Sequence, residues 1–442
     1  MSDRLFLRGT LILTLTGFAS RLMGFFYRIF LSHTIGAQGV GIYQLTIPVH
    51  AIVLSACCMG IQAAISRLCA SFTALKKENE ARNVLLIGAI LATGSSAVFS
   101  FAVYLNADFT AVILLKEPRT APLLRILSFS FPLSVLHSCI NSFYYARKKT
   151  GIPAFIQLLE QFSRIGSTYM IYLILMSQQK EITPVIAAGG ALFSEIVAVT
   201  ASLLALGIDF SSKAQKSLFS HRSDSGKSLA GEILHIAVPH SVNRLLLTLL
   251  SAIEMVLIPQ RLLLAGMNRA DSLSVYGIFT GMALPLILFP ATFTNSASVM
   301  LMPSVAGLQA LGRENKIRYV IRRTLESCFF FGAFCTLFFF FFGNTLGSFL
   351  FHSETAGLYI KTLAFICPFL YTNTALESIL NGLGRPDACL FHNIASVCIR
   401  IGFVFFSIPI IGIRGYFYGM LLSQLILTLL HFIFLNKMEL SE

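Results

Sequence analysis

The chain carries few charged residues for its size. Of its 442 residues only 12% are Asp, Glu, Lys or Arg, whereas 55% are hydrophobic. Soluble domains carry about 25% charged residues, and 33 basic with 20 acidic side chains are too few to cover a water-soluble protein of this length. The composition therefore excludes a soluble enzyme, a disordered chain and a nucleic-acid-binding module. It indicates a polytopic helical membrane protein.

Sequence patterns of metal, redox and catalytic sites are missing too. The nine Cys are scattered, mostly inside apolar runs, and no C-x-x-C pair occurs, which favours small buried hydrophobic side chains. The patterns H-E-x-x-H, D-D-x-x-D and H-x-x-x-x-D are absent. We therefore expect a protein that is not an enzyme, with no catalytic residue, no metal and no bound cofactor. The first apolar run continues into Arg21 and Arg28 without a small-residue cleavage site, so it is interpreted as a retained span and not as a signal peptide.

What the sequence does contain is a series of long apolar segments. A membrane helix needs about 20 apolar residues. Twelve segments meet this requirement: 8–31, 41–70, 83–105, 121–145, 153–176, 184–207, 233–262, 276–308, 324–345, 360–382, 391–411 and 414–436. The predicted fold class is thus all-α and integral to the membrane.

The loop charges predict the orientation of these spans. With the N-terminus inside, 19 Lys and Arg lie in cytoplasmic loops and five in outer loops. Short cytoplasmic loops are enriched in Lys and Arg. We expect a multi-pass membrane protein with both termini in the cytoplasm.

The two halves of the chain resemble each other at a fixed offset of 236 residues. In that register the motif E-N-x-x-R-x-V recurs at Glu78 and Glu314, and Arg-Ile-Gly recurs at Arg164 and Arg400. The repeat predicts an N-terminal six-helix lobe (1–210), a cytoplasmic linker (211–232) and a C-terminal six-helix lobe (233–442). An even number of spans separates the halves, so they share one orientation. Such parallel repeats are typical of transporters, whose halves rock around a central cavity.

Three arginines are predicted to lie at membrane depth. Arg21 and Arg28 are seven residues apart and share one face of the first span, and Arg244 follows Pro239 in span seven. A charge at that depth costs about 3 kcal/mol or more unless it is paired or hydrated, which favours a wet central cavity. Guanidinium groups bind phosphate oxygens in a bidentate way. The three residues are therefore candidates for binding an anionic headgroup.

Membrane carboxylates offer the alternative that these arginines form structural ion pairs. The candidate partners are Glu160, Glu195, Glu254 and Glu377. Glu160 and Arg164 are four residues apart on one helix and are predicted to pair with each other.

Acidic residues of the second half could also couple transport to an ion gradient. Glu254, Asn373 and Glu377 lie in mid-span, and a carboxylate near amide oxygens can bind Na⁺ or carry a proton. A hydrogen-bonded structural role is equally compatible with the sequence. Coupling to Na⁺, H⁺ or the membrane potential stays open, and the lone His50 and His137 are interpreted as packing positions.

Proline marks the spans that are expected to be irregular. Span two contains Pro48, span seven contains Pro239 and Pro259, and span eight contains Pro285 and Pro290. Proline breaks or bends membrane helices where neighbours or cavity water satisfy the freed backbone groups. Spans one, two, seven and eight are expected to form the gate and the cavity wall.

Several motifs together resemble a known family. They are Ser20-Arg21-Leu22-Met23-Gly24-Phe25, the stretch 35–44, Val238-Pro239 with Arg244, Leu257 to Leu262, and Asn381-Gly382-Leu383-Gly384-Arg385-Pro386. The chain is similar over nearly its whole length to the stage V sporulation protein B-like, or polysaccharide biosynthesis protein, family. That family belongs to the multidrug/oligosaccharidyl-lipid/polysaccharide exporter superfamily and is related to the lipid II flippases.

The resemblance implies two helical lobes around a V-shaped cavity and an activity without bond breakage. A relative of this kind flips an undecaprenyl-pyrophosphate-linked oligosaccharide, a cell-wall or polysaccharide precursor, from the inner to the outer leaflet. Arg21 matches the first Arg of the family motif S-R-x-x-G-F. Lipid II flippases also carry basic residues after a Pro of the second helix, whereas here Pro48 is followed by Val49 and His50.

The expected partners are a lipid-linked glycan and membrane lipid, with no nucleic acid, and the chain is expected to act as a monomer. Two alternatives remain from the sequence: a cation-coupled multidrug antiporter of the same superfamily, and an integral-membrane enzyme acting on lipid-linked sugars. The antiporter would favour an acidic, aromatic cavity. The enzyme would need a clustered acid/base or metal constellation. A non-transporting scaffold for a cell-wall or spore-coat complex is a third.

Overall fold

A computed structural model describes residues 2–211, 225–311 and 314–440. Within these ranges the chain forms helices and no strand. The longer helices are α1 (Ser2–Gln44), α2 (Ile47–Ala74), α3 (Glu78–Leu105), α4 (Pro118–Ser128 and Ser130–Ala146), α5 (Gly151–Ser177), α6 (Val185–Ser211), α7 (Ser225–Leu264), α8 (Arg269–Leu288), α9 (Ala291–Ala310), α10 (Glu314–Phe351), α11 (Glu354–Gly382), α12 (Pro386–Phe406) and α13 (Ile413–Leu440). The predicted all-α fold class is confirmed.

The helices agree with the predicted membrane spans. In the described part of the chain nine helices are long and apolar enough to cross a membrane, or ten if the two segments of α4, bent by 45°, form one span. The other two predicted spans lie on α1 and α5, which are also long helices. The chain is thus a multi-pass membrane protein. The predicted linker 211–232 lies largely outside the described residues.

The proline-containing spans two and eight are irregular as expected, whereas span seven is not. Pro290 caps the start of α9 and separates it from α8, so the predicted span 276–308 is two helices. α2 and α8 each contain a π-helical segment, Ser55–Met59 and Ile278–Ala283. By contrast α7 continues through Pro239 and Pro259 as one helix.

α1 is longer than its predicted span and breaks at Gly36. This residue has φ 67° and ψ 175°, a backbone conformation that glycine adopts at little cost because it lacks Cβ. The helix therefore changes direction after residue 35 and continues to Gln44. Hydropathy places the end of this span at residue 31, because the short helical continuation to Gln44 is rich in Gly and is not strongly apolar.

The described chain divides into two compact units. The first comprises Met1–Tyr27 and Leu45–Leu249, and the second comprises Arg28–Gln44 and Leu250–Glu442. α1 and α7 therefore each contribute residues to both units. Whether the units descend from a duplicated six-helix lobe stays a prediction.

Each unit has its own apolar core. In the first, α2, α3, α4 and the beginning of α7 bury Ile65, Leu85, Phe143 and Ile233 completely or nearly so. In the second, α9 and α11 bury Val305, Ile379 and Leu380. Because lipid tails are as apolar as these side chains, their burial stabilises the units through close van der Waals packing between the helices.

The second part of α1 is held within the second unit by small residues. A Cβ on Gly277 of α8 would lie 2.0 Å from the carbonyl oxygen of Ala37, and a Cβ on Gly41 would lie 2.1 Å from that of Leu273. The two helices can approach this closely only because both positions are glycine, as is common where membrane helices cross.

Candidate functional site

The three candidate headgroup arginines lie on α1 and α7. Arg21 and Arg244 are exposed and belong to the first unit, whereas Arg28 is half-buried and belongs to the second. Arg28 has an electrostatic contact with Tyr43, which follows the break at Gly36. Joint binding of one headgroup by these residues stays a prediction.

The turn of α7 that carries Arg244 is fixed to α2 by polar side chains. The Thr248 hydroxyl donates to the carbonyl oxygen of Arg244 at 2.8 Å. Its oxygen also lies 2.8 Å from the hydroxyl of Ser55, in the π-helical segment of α2. Both hydroxyls belong to the first unit. That of Thr248 contacts the backbone of Arg244 through its carbonyl oxygen, so the two hydroxyls orient this helix turn without neutralising the guanidinium.

A group of ionisable side chains lies within the first unit, in which His137 and Glu195 are buried and Glu160 and Arg164 are half-buried. It consists of His137 on α4, Glu160 and Arg164 on α5, and Glu195 on α6, and is called the His137 cluster below. Arg164 donates to Glu160 through a short contact, which confirms the predicted pair. The imidazole of His137 lies between the two acids, with Nδ1 3.2 Å from Oε2 of Glu195 and Nε2 4.0 Å from Oε2 of Glu160.

Serine hydroxyls complete the polar contacts of this cluster. Ser134 of α4 donates to Oε1 of Glu195 at 3.2 Å, and Nε of Arg164 donates to Ser194 of α6 at 3.3 Å. Three helices therefore meet through polar side chains in an otherwise apolar bundle. From the sequence, His137 is interpreted as a packing position. The cluster is not evident there because its residues come from three different helices, and the pattern of one helix does not indicate which side chains of its neighbours it faces.

The second unit contains a buried ion pair between α7 and α12. Nε and Nη2 of Arg400 donate to the two carboxylate oxygens of Glu254 at 2.6 and 3.2 Å. The Tyr416 hydroxyl of α13 donates to the same carboxylate at 2.7 Å. The side chains of Glu254 and Arg400 are 4% and 16% exposed. This is the structural ion pair that the sequence left open as the alternative for membrane carboxylates, although Arg400 was not one of the three candidate arginines.

The two other candidate coupling residues have different partners. Nδ2 of Asn373 donates to Oε1 of Gln424 at 2.8 Å, and its Oδ1 accepts from Thr428 at 2.9 Å, so it binds α13. Glu377 accepts a hydrogen bond from Asn393 of α12 at 3.0 Å. Coupling through Glu254, Asn373 and Glu377 stays a prediction.

The arginines of the repeated Arg-Ile-Gly motif have similar environments. Arg164 and Arg400, 236 residues apart, each pair with a buried carboxylate of their own unit. The carboxylate comes from the same helix in the first unit and from α7 in the second.

Among the described residues, no group of three or more His, Cys, Asp or Glu side chains has a geometry that could hold a metal ion. Eight of the nine free Cys are buried.

Similarity to known proteins covers almost the whole chain. A family described as polysaccharide biosynthesis protein matches residues 6–309. Stage V sporulation protein B of Bacillus subtilis is 25% identical over 436 residues, covering 98% of this chain and 83% of the relative. Lipid II flippase MurJ of the same organism is 24% identical over 349 residues, covering 75% of this chain and 63% of the relative. An inward-facing multidrug resistance MATE family transporter of the MOP superfamily has the same fold, with a TM-score of 0.74 at 15% identity over 96% of this chain and 94% of the other.

Proposed function

Because the chain belongs to the polysaccharide biosynthesis protein family, as its motifs predicted, we propose that it is a flippase for an undecaprenyl-pyrophosphate-linked oligosaccharide. It moves this precursor from the inner to the outer leaflet of the bacterial cytoplasmic membrane, with both termini in the cytoplasm. The observation that carries the proposal is the family match, together with similarity along 98% of the chain to stage V sporulation protein B. The relation to a lipid II flippase supports a lipid-linked glycan as substrate.

The chemistry of the task is the transfer of a charged headgroup through an apolar layer. A pyrophosphate carries several negative charges, and a charge in the hydrocarbon region costs about 3 kcal/mol or more unless it is compensated. Arg21, Arg28 and Arg244 supply guanidinium groups that bind phosphate oxygens in pairs. No covalent bond needs to break, so the protein acts as a transporter and not as an enzyme.

Alternating access requires that the headgroup bind one conformation better than the other. A ligand shifts such an equilibrium only by its differential affinity for the two states. α1 and α7 are suited to this role because each contributes residues to both units, and each carries a candidate headgroup arginine. Na⁺, H⁺ or the membrane potential would supply the driving force.

The test is flipping of a fluorescent lipid-linked oligosaccharide by the full-length protein in vesicles, read by chemical quenching of the outer leaflet. Each of R21A, R28A and R244A is expected to slow flipping by about ten- to a hundredfold, because a hydrogen bond to a charged group contributes about 1.5–3 kcal/mol. R322A is the matched control, since Arg322 is 84% exposed and pairs with Glu326 four residues on.

Two results would overturn these statements separately. If the wild-type protein flips no faster than empty vesicles, the flippase function is wrong. If flipping is normal in all three variants, the cationic headgroup site is wrong although the function stands.

A multidrug antiporter is the second candidate, favoured by the fold shared with the MATE family transporter. That likeness concerns the fold alone at 15% identity. Extrusion of cationic dyes by the wild-type protein, without flipping, would support the antiporter. The three candidate arginines disfavour it, because a cationic site repels a cationic drug.

A further inference from the structure

The His137 cluster has an unbalanced charge. Arg164 is positive and both Glu160 and Glu195 are carboxylates, so with a neutral His137 the four side chains carry a net charge of −1. One added proton brings the cluster to zero. An uncompensated charge is costly in the interior of a membrane protein, so the neutral, proton-loaded form fits this environment better.

Two facing atoms of the cluster lack hydrogen-bond partners among the described residues. Nδ1 of His137 and Oε2 of Glu195 are both buried and 3.2 Å apart, but their alignment does not meet the geometry of a hydrogen bond. A small rotation of either side chain with a proton between the two atoms would satisfy both. The separation suits N–H···O, and a buried polar atom without a partner is otherwise costly.

The surrounding groups identify the proton as the ligand. The ionisable side chains facing the pair are Glu160 and Arg164 of α5 and His50 of α2, whose Nε2 is buried without a partner among the described residues. A metal cation or Na⁺ needs several oxygen or nitrogen ligands in a shell, and the guanidinium of Arg164 would repel it. A proton needs only the one gap between imidazole and carboxylate.

We propose that His137 and Glu195 form a single-proton site in the first unit, and that loading of this site couples flipping to the proton gradient. The coupling rests on the proposed flippase function, whereas the proton binding does not. The proton belongs to the pair and not to one residue, because the two groups titrate together. When it leaves, two carboxylates flank the imidazole and α4 is less tightly held to α5 and α6.

A short polar connection leads from this site to the helix of Arg21. The Thr168 hydroxyl donates to the carbonyl oxygen of Arg164 at 2.7 Å, and it lies 3.2 Å from the hydroxyl of Tyr27 on α1. Thr168 and Tyr27 are buried. Movement of α5 on loss of the proton is thereby transmitted to α1.

The binding test needs no substrate. Full-length wild-type, E195Q and H137Q proteins are unfolded in detergent between about pH 5 and 8, the range in which histidine titrates. The slope of stability against pH counts the protons bound on folding. Because the proton binds the folded site, the wild type loses stability relative to E195Q as the pH rises above about 6.5, where histidine in the unfolded chain loses its proton, with a slope difference that approaches one proton. H392Q is the matched control, since His392 of the second unit also lies 3.2 Å from a polar nitrogen, that of His431.

The coupling test uses the same proteins in vesicles with an imposed pH gradient. One pH unit shifts a one-proton carrier by up to about tenfold, so wild-type flipping changes with the gradient, whereas E195Q and H137Q do not respond. Y27F is expected to keep the one-proton slope and lose the response of flipping. S134A, which removes only one hydrogen bond to Glu195, replaces E195Q if that variant does not fold, and shifts the pH midpoint of the titration.

The outcomes separate the proposals. A one-proton slope that persists in both E195Q and H137Q overturns the site. A slope lost in the variants while wild-type flipping ignores the gradient overturns the coupling. A slope that behaves as expected in a protein that does not flip supports the site and overturns the flippase function. A normal gradient response in Y27F overturns the route through Thr168.

Discussion

Substitution of Arg400 by methionine should strongly destabilise the second unit. The change leaves the carboxylate of Glu254, 4% exposed, with the Tyr416 hydroxyl as its remaining hydrogen-bond partner among the described residues. Two unit charges about 4 Å apart interact by about 4 kcal/mol at an effective dielectric constant of 20. Removal of one partner from a buried ion pair typically costs about 3–5 kcal/mol. We therefore expect R400M to lower the free energy of unfolding by this amount, which is about two to three and a half powers of ten in the unfolding equilibrium.

The companion variants distinguish loss of an ion pair from loss of packing. Because a buried pair can be replaced by apolar residues at little cost, the double variant R400M/E254L should return to within about 1 kcal/mol of the wild type. E254Q keeps an oxygen that can accept from Tyr416 but leaves the Arg400 guanidinium without its counter-charge, so it should also cost about 3–5 kcal/mol. R322M is the exposed control, with an expected change below about 1 kcal/mol.

The measurement is reversible unfolding in mixed detergent micelles, following helicity and tyrosine fluorescence. If the double variant is no more stable than R400M, the loss reflects the contacts of the Arg400 side chain and the ion-pair argument is refuted. The same assay examines Glu254 as a coupling residue. Because Arg400 already pairs with the carboxylate of Glu254, added Na⁺ should not change the stability of the wild type. In R400M that carboxylate lacks its counter-charge, so added Na⁺ should partly restore stability.

Two further predictions concern packing and charge in the second unit. G277A should lower stability by about 1–3 kcal/mol, because its Cβ would lie 2.0 Å from the Ala37 carbonyl oxygen. Thermal unfolding measures this loss. G402A is the control, since Gly402 has open space and no positive φ, whereas G384A is unsuitable because Gly384 has a positive φ. S396E places an acid at the position equivalent to Glu160, beside Arg400, whose Nη1 lies 3.2 Å from the Ser396 hydroxyl. The stability of this variant is expected to depend on pH in a way that the wild type does not show. An unchanged pH profile of stability would contradict the prediction.

The sequence predicted the spans well because hydropathy is a local property. The predicted segments lie on helices, and in the described part of the chain nine or ten of these are long and apolar enough to cross a membrane. Pro290 marks the break between α8 and α9. The break at Gly36 was hidden, since the stretch 35–41 contains three glycines and only one of them has a positive φ. Within one helix, spacing was equally informative, as the Glu160–Arg164 pair demonstrates.

Contacts between distant helices could not be obtained in this way. Glu254 and Arg400 are separated by 146 residues, and nothing in the pattern of either span indicates that their helices are neighbours. The same holds for His137 and Glu195, which are on α4 and α6. A charged residue inside a span indicates that it has a partner or contacts water. Which partner it has depends on how the helices pack.

The two arginines of the repeated Arg-Ile-Gly motif differ in the acidic residues around them. Arg164 and Arg400 are equivalent in the 236-residue register and are both paired. The first unit places two carboxylates and a histidine near its arginine, whereas the second pairs its arginine with one carboxylate, which also accepts a hydrogen bond from a tyrosine. The Glu254–Arg400 pair is therefore balanced without a proton, and the His137 cluster is not. Since the position equivalent to Glu160 is Ser396, one residue accounts for much of this difference. The charge balance therefore favours the His137 cluster, and not the Glu254–Arg400 pair, as the place where a proton is bound.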